Sequence, residues 1–225
     1  MKITYLGQAG LLFEHNGLTV MLDPYLSNSV VEIEPHNNRR VPVDESFFDV
    51  KPDIMIFTHN HMDHYDPQTA TRFITPESAV TVLCPTSVCK EVLAIGGLKN
   101  NCVQFNRGTT WTQGGLRFTA VKAEHSDEYA IGVIIDDGEK KYYVTGDTLY
   151  NEAVFADLPD DIYAVFLPVN GLGNNMNKTD AAAFAKRCGA KKAVPYHVGL
   201  FDNFTAEDFD FEDKVIPVFW KEINL

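Results

Sequence analysis

The sequence is short of basic charge, of cysteine pairs and of long apolar runs, and each shortage removes a class of function. Only 19 lysines and arginines face 31 aspartates and glutamates, for a formal net charge of −12. No basic patch or stripe of the kind that tracks a phosphate backbone is present, so nucleic acid is not an expected partner. The four cysteines, Cys84, Cys89, Cys102 and Cys188, are scattered, and none sits in a C-x-x-C pair. That argues against a disulfide framework and against a structural zinc site of thiolates, leaving thiols packed in a core within a reducing compartment. No apolar stretch approaches membrane-spanning length, and Met1 to Gly7 reads as a first strand rather than a signal peptide. A cytoplasmic protein with no membrane partner is the expectation.

What remains suits one sizeable core: 225 residues, 45% of them hydrophobic, fit a single domain over 1–225. Ile3 to Leu6, Gly10 to His15 and Leu18 to Leu22 are short apolar segments. Asn16-Gly17 between the last two predicts a hairpin, because both residues tolerate positive φ. Residues 27–52 are polar, contain three prolines and show no period. A loop of that length in a compact domain is a candidate lid. Asp53 to Phe57 reads as a buried strand. Further strands are predicted at 79–83, 115–121, 129–136, 140–145, 162–167 and 193–194. Helices are predicted at 67–74, 86–95 and 179–188, the last capped by Thr179. Strands interspersed with helices suggest two sheets, each covered by helices on its outer face.

The polar residues fall where chemistry is usually carried, in loops just past apolar strands. His59-x-His61-x-Asp63-His64 follows the strand that ends at Phe57. In extended chain, residues two apart point the same way, so His59 and His61 can grip one ion. Asp63 and His64 come after the chain has begun to turn and can face a second. Four imidazole and carboxylate groups within six positions suit zinc, manganese or iron and have no ready structural explanation. His125, Asp147 in Gly146-Asp147-Thr148, and His197 also follow strands. Each is ambiguous alone, but five of the seven histidines fall in this pattern. His15 and His36 are left as surface or lid residues.

Thr58-His59-x-His61-x-Asp63-His64, then His125, Gly146-Asp147 and His197, resembles the metallo-β-lactamase fold superfamily over nearly the whole chain. The resemblance implies a four-layer αββα sandwich with two divalent metal ions, zinc first and manganese or iron next, at one edge of the sheets. His59, His61 and His125 would hold one ion, Asp63, His64 and His197 the other, and Asp147 would bridge. Within the superfamily, Leu22-Asp23-Pro24-Tyr25-Leu26 and Pro195-Tyr196-His197 resemble the L-ascorbate-6-phosphate lactonase-like hydrolases.

A metal-bridging hydroxide would then attack a small substrate, a lactone, ester or phosphoester, with Asp63 and Asp147 as the catalytic carboxylates. Two divalent ions outweigh two aspartates and a hydroxide, which favours an anionic substrate. Arg39 and Arg40 in the candidate lid, with Asn170 and Lys178 in a glycine- and asparagine-rich loop, are the candidate substrate contacts. Two alternatives stay open beside a hydrolase of small molecules: a phosphodiesterase or nuclease of the same fold, and a non-catalytic metal-binding protein. Diiron relatives that reduce oxygen carry glutamate at the second position of the motif, where this chain has His61. Segment 215–220 is open to two readings, a pairing surface for a homo-oligomer or a closing piece of the core.

Overall fold

The computed structural model describes residues 1–225. Its twelve strands form two six-stranded sheets. The first contains β1 (Lys2–Gly7), β2 (Gly10–His15), β3 (Leu18–Leu22), β4 (Ile54–Ile56), β5 (Thr81–Cys84) and β6 (Asn101–Gln104), in that order across the sheet. The second contains β7 (Thr110–Gln113), β8 (Leu116–Lys122), β9 (Ile131–Asp136), β10 (Lys141–Val144), β11 (Ile162–Pro168) and β12 (Lys192–Tyr196), each beside its sequence neighbour. Three α-helices cover them: α1 (Pro67–Phe73), α2 (Thr86–Gly96) and α3 (Lys178–Arg187).

Two-residue alternation along the strands sorts the apolar side chains into three cores. Ile3, Phe13, Val20, Ile54 and Leu83 of one sheet meet Phe118, Val133, Val144, Phe166 and Val194 of the other in the central layer. Leu12, Met21, Met55 and Val82 point outward and are covered by Ala70 and Phe73 of α1 and Val88 and Val92 of α2. Tyr143, Val165 and Ala193 point outward from the second sheet beneath Ala181, Phe184 and Ala185 of α3. The result is the αββα sandwich.

Most elements lie where periodicity puts them, with ends shifted by a residue or two. β6 and β7 carry no such signal: they are short, and half their side chains face solvent at a sheet edge. Helix α3 starts earlier than predicted, because Asn177 rather than Thr179 is its cap and accepts from the amides of Thr179 and Asp180. In segment 27–52 only Ser29–Glu32 and Glu45–Asp49 are helical, as single 3₁₀ turns. The C-terminal segment closes the core: Trp220 donates its amide to Tyr5, and Phe219 packs 5.3 Å from the Tyr5 ring.

Strand direction decides where function gathers. β1, β3, β4 and β5 run the same way, as do β8, β10, β11 and β12, since each set differs only by parallel or paired antiparallel steps. The residues that follow them, Gln8, Asp23, Thr58-His59, His125, Asp147, Asn170 and His197, come off carboxyl-terminal strand ends, the usual location of sites in α/β sheets. The two sheets touch there, where Ile131 donates its amide to the Thr58 carbonyl over 3.0 Å. Gly146 permits the closeness: its φ is +61°, and a Cβ would stand 2.8 Å from the Ile131 carbonyl and 3.0 Å from Thr58 Cβ.

Candidate metal centre

All seven predicted ligands converge. His59, His61, His125 and Asp147 form one set of donors and Asp63, His64 and His197 another, with the donor atoms of each set within 4.8 Å of one another. The rings pack closely: His59 and His64 have centroids 4.0 Å apart, and His61 Nδ1 lies 3.1 Å from His125 Nε2. Asp147 stands between the sets. One of its oxygens lies 3.2 Å from His64 Nε2 and 3.3 Å from His197 Nε2, while the other is 4.0 Å from His125 Nε2.

The donor set fits a metal by a test internal to the fold. His59 Nε2 is a buried polar atom with no hydrogen-bond partner, and Asp147 Oδ1 faces the His64 and His197 rings without an aligned hydrogen bond. Orphaned atoms of this kind are costly in a low-dielectric interior unless something charged meets them. The outward nitrogens are meanwhile fixed from behind. Asp23 accepts from the Thr58 amide at 2.8 Å, the Thr58 hydroxyl at 2.5 Å and His64 Nδ1 at 2.7 Å. With its proton given to Asp23, the Thr58 hydroxyl accepts from His59 Nδ1 at 3.0 Å. Both histidines therefore present Nε2 to the site, the carboxylate-to-histidine arrangement that orients ligands around metals.

The electrostatics of the two sets differ. Burial holds His59 far below the usual imidazole range, reinforced by His64, and burial also lowers His125. These are neutral imidazoles, ready as ligands. Burial acts the same way on His64 and His197, but the carboxylates of Asp147 and Asp63 outweigh it. His64 is raised well above the imidazole range and His197 is pushed up to about 9. Burial in turn opposes ionisation of Asp63 and Asp147, and the facing His64 and His197 overcome it and hold both carboxyls low.

Several groups at the centre escape a reading of the sequence. The Gln8 side-chain amide donates to Asp63 at 2.7 Å and lies 3.2 Å from His197 Nε2. Asn175 donates to the second Asp147 oxygen at 2.8 Å. Asp127 accepts from the Asn60 amide and, at 2.6 Å, from Ser87, tying the histidine loop to the start of α2. The backbone carries a signal that sequence lacks: Gln8, Asp23 and His197 all have positive φ, of 52°, 43° and 67°. Non-glycine residues held there cost about 1–3 kcal/mol each and collect at functional sites.

A cavity of about 630 Å³ opens on the donors Asp63, Asp147, His61 and His197. Its walls are Gln8, Asn60, Asn170 and Asn175, the apolar Val30, Ile33, Met62, Leu172 and Phe201, and the acidic Glu34 and Asp202. Segment 27–52 thus supplies one wall through Val30, Ile33, Glu34 and Asn37. Of the four candidate substrate contacts, Asn170 lines the cavity, with its amide 3.1 Å from His197 Nδ1. The other three do not. Arg39 turns its guanidinium to the carbonyls of Ser27, Tyr25 and Val41 and lies over the Tyr25 and Trp220 rings. Arg40 bonds Asn203, and Lys178 pairs with Asp208. Backbone carbonyls, a side-chain amide and a carboxylate engage these three cations. A separate cavity of about 530 Å³, between Phe48 and Val80, contains none of the metal donors.

Comparison with known proteins agrees with this geometry. Residues 19–198 match the family model described as a β-lactamase superfamily domain. A UPF0173 metal-dependent hydrolase of Exiguobacterium sp. is 30% identical, over 96% of this chain and 93% of the relative. A UPF0173 protein of Pyrococcus furiosus is 29% identical, over 94% of this chain and 90% of the relative. Among solved structures, the isothiocyanate hydrolase from Delia radicum gut bacteria superposes with a TM-score of 0.75 at 20% identity, covering 100% of this chain and 99% of that one.

Proposed function

Since the chain belongs to the metallo-β-lactamase superfamily of metal-dependent hydrolases, we propose that it holds two divalent ions and hydrolyses a small, uncharged ester or lactone. The observation that carries this reading is the Asp147 carboxylate, buried between two sets of neutral or displaceable imidazoles with one oxygen turned to each. His59, His61 and His125 would hold one ion and Asp63, His64 and His197 the other, with Asp147 shared. Zinc suits such donors, as do manganese and iron. Ions bound there would acidify a water to near-neutral pKa and polarise the substrate oxygen.

The chain's own groups do the rest. Asp23 and Thr58 keep His64 and His59 in the tautomers that face the cavity. Gln8 fixes Asp63 against His197, so the Asp63 carboxylate stays beside the position a reacting water would take. Asn175 restrains the second oxygen of Asp147. Asn60 and Asn170 offer hydrogen bonds to a substrate carbonyl or ring oxygen, while Ile33, Leu172 and Phe201 provide an apolar wall.

The lining favours an uncharged substrate over the anionic one expected from the sequence. An anionic lactone phosphate or phosphoester would find counter-charge only in the ions, since no lysine or arginine lines the cavity and Glu34 and Asp202 face it. An uncharged acyl compound with an apolar arm meets no such repulsion. The name of the structural neighbour brings a second uncharged electrophile, an isothiocyanate, into consideration. The test is a parallel assay of p-nitrophenyl butyrate, aliphatic lactones, allyl isothiocyanate, p-nitrophenyl phosphate and bis-(p-nitrophenyl) phosphate with the metal-loaded protein. Turnover of uncharged compounds well above the phosphoesters, abolished in Asp147→Asn, supports the proposal. Preferential turnover of the phosphoesters overturns the substrate class, and no turnover of any compound counts against the enzyme reading.

A further inference from the structure

On the side of the first sheet away from the central core, three of the four thiols come together. Cys84 Sγ is 3.3 Å from Cys89 Sγ and 3.9 Å from Cys102 Sγ, and all three sulfurs lie within 4.8 Å of one another. The fold explains the meeting. Cys102 pairs with Val82 across β5 and β6, so Cys102 and Cys84 are diagonal neighbours on the outward face. Helix α2 begins two residues after Cys84, and its first turn lays Cys89 over the pair. None of this could be read from spacing: the three thiols pack in the outer core, as expected, but they also meet one another there. Cys188 lies apart, beneath α3.

The arrangement differs from ordinary packing of thiols among carbon. The sulfurs' hydrogen-bond partners are one another, apart from the Cys84 carbonyl, to which Cys89 donates. Cys84 is fully buried, whereas Cys89 and Cys102 are half-buried, so the cluster can be reached from solvent on one side. Thiolates sharing one zinc-like ion sit about 2.3 Å from it, which separates them by about 3.8–4.0 Å. The Cys84–Cys102 separation of 3.9 Å matches that value, and the Cys84–Cys89 separation of 3.3 Å is shorter. Hydrogen bonds from Cys102 and Cys84 lower Cys89, while hydrogen bonding within the triad and burial raise Cys84 and Cys102.

We propose that Cys84, Cys89 and Cys102 form a second metal site, separate from the histidine centre, that binds a thiophilic d¹⁰ divalent cation. Each thiol loses its proton to solvent as the ion binds, and the remaining coordination position is filled from the solvent side. The bound ion joins β5, α2 and the edge strand β6, and so clamps a margin of the sheet whose last strand is half exposed.

Cadmium is the probe, because sulfur ligation gives an ultraviolet charge-transfer band that imidazole and carboxylate do not. The reduced full-length protein, first saturated with zinc at the histidine centre and at the thiols, is titrated with cadmium, which thiolates hold more tightly than zinc. The proposal predicts a thiolate band that saturates at one cadmium per chain, with Cys89 and Cys102 protected from iodoacetamide and a raised unfolding midpoint. Cys89→Ser and Cys102→Ser, at half-buried positions, each weaken cadmium binding at least tenfold, while Cys188→Ala leaves the band intact. Absence of the band in the wild-type protein overturns the proposal, whatever the variants do. So does a band that survives Cys89→Ser at full strength. Failure to bind cadmium accompanied by a Cys84–Cys89 disulfide after mild peroxide treatment replaces the metal site with a redox pair. Ester hydrolysis, measured in parallel, reports only on the histidine centre.

Discussion

His64 Nδ1 donates to Asp23 Oδ2 over 2.7 Å, with both side chains wholly shut off from solvent. This bond decides which nitrogen His64 turns to the metal centre, and the same carboxylate positions Thr58 and through it His59. Asp23 touches no donor atom of the cavity, yet it governs two ligands at once.

Replacing Asp23 with Asn keeps the shape but exchanges an acceptor oxygen for a donor that faces His64 or Thr58. Loss of a partner of this kind typically costs 10–100-fold in metal affinity or activity. Asp23→Asn is expected to lower zinc affinity within that range, read by competition with a chromophoric chelator, with circular dichroism unchanged. Unaltered affinity would show that His64 is oriented by something else.

Gln8 acts on the other side of the centre. Removing its amide in Gln8→Ala frees Asp63 and His197 from their shared restraint. The expected result is a fall in kcat of about tenfold, in keeping with the loss of an outer partner, with KM changed much less. A change confined to KM would instead make Gln8 a substrate contact.

Metal uptake is expected to release protons. His197, raised to about 9 by Asp147 and Asp63, carries a proton at pH 7, and His64 is raised as well. Coordination requires the neutral imidazole, so binding must expel these protons. Calorimetric zinc titrations at pH 7 in buffers of different ionisation enthalpy are expected to show net proton release. Apparent affinity is expected to rise with pH through about 9, where His197 gives up its proton. Proton-neutral binding at pH 7 would mean that the second set of ligands is not engaged.

Arg39 is engaged by the backbone in and beside segment 27–52. Its guanidinium ties the Tyr25, Ser27 and Val41 carbonyls together and lies over Tyr25 and Trp220. Charged hydrogen bonds contribute about 1.5–3 kcal/mol each when buried, less for a half-exposed group. Arg39→Ala is therefore expected to cost about 1–2 kcal/mol in a urea unfolding experiment, with KM unchanged. Arg40→Ala, at an exposed position, is expected to change neither stability nor KM. A rise in KM for either variant would return that arginine to the binding site.

The contrast between the seven metal donors and these supporting residues shows what a sequence exposes. His59, His61, Asp63 and His64 are dense in metal-type donors beside a buried strand, and His125, Asp147 and His197 each follow an apolar run. Gln8 and Asp23 also follow apolar strands, but an amide and a lone aspartate before proline read as turn chemistry. Their role appears only when β1, β3 and β4 are aligned and the left-handed backbone at both positions is seen. Arg39 and Arg40 illustrate the converse. A guanidinium in a polar loop can face a substrate or its own backbone, and composition does not distinguish these. The three thiols meet through the β5–β6 register and one turn of α2, information held in the tertiary fold.

The central claim is a centre built from two donor sets, and it is tested most directly by elemental metal content. The protein is purified without added metal and measured beside His59→Ala. About two equivalents of zinc, manganese or iron per chain, clearly reduced in the variant, is the result predicted here, once any metal removed by Cys89→Ser has been subtracted. No bound metal in either protein, and none taken up on adding zinc or manganese, would contradict it.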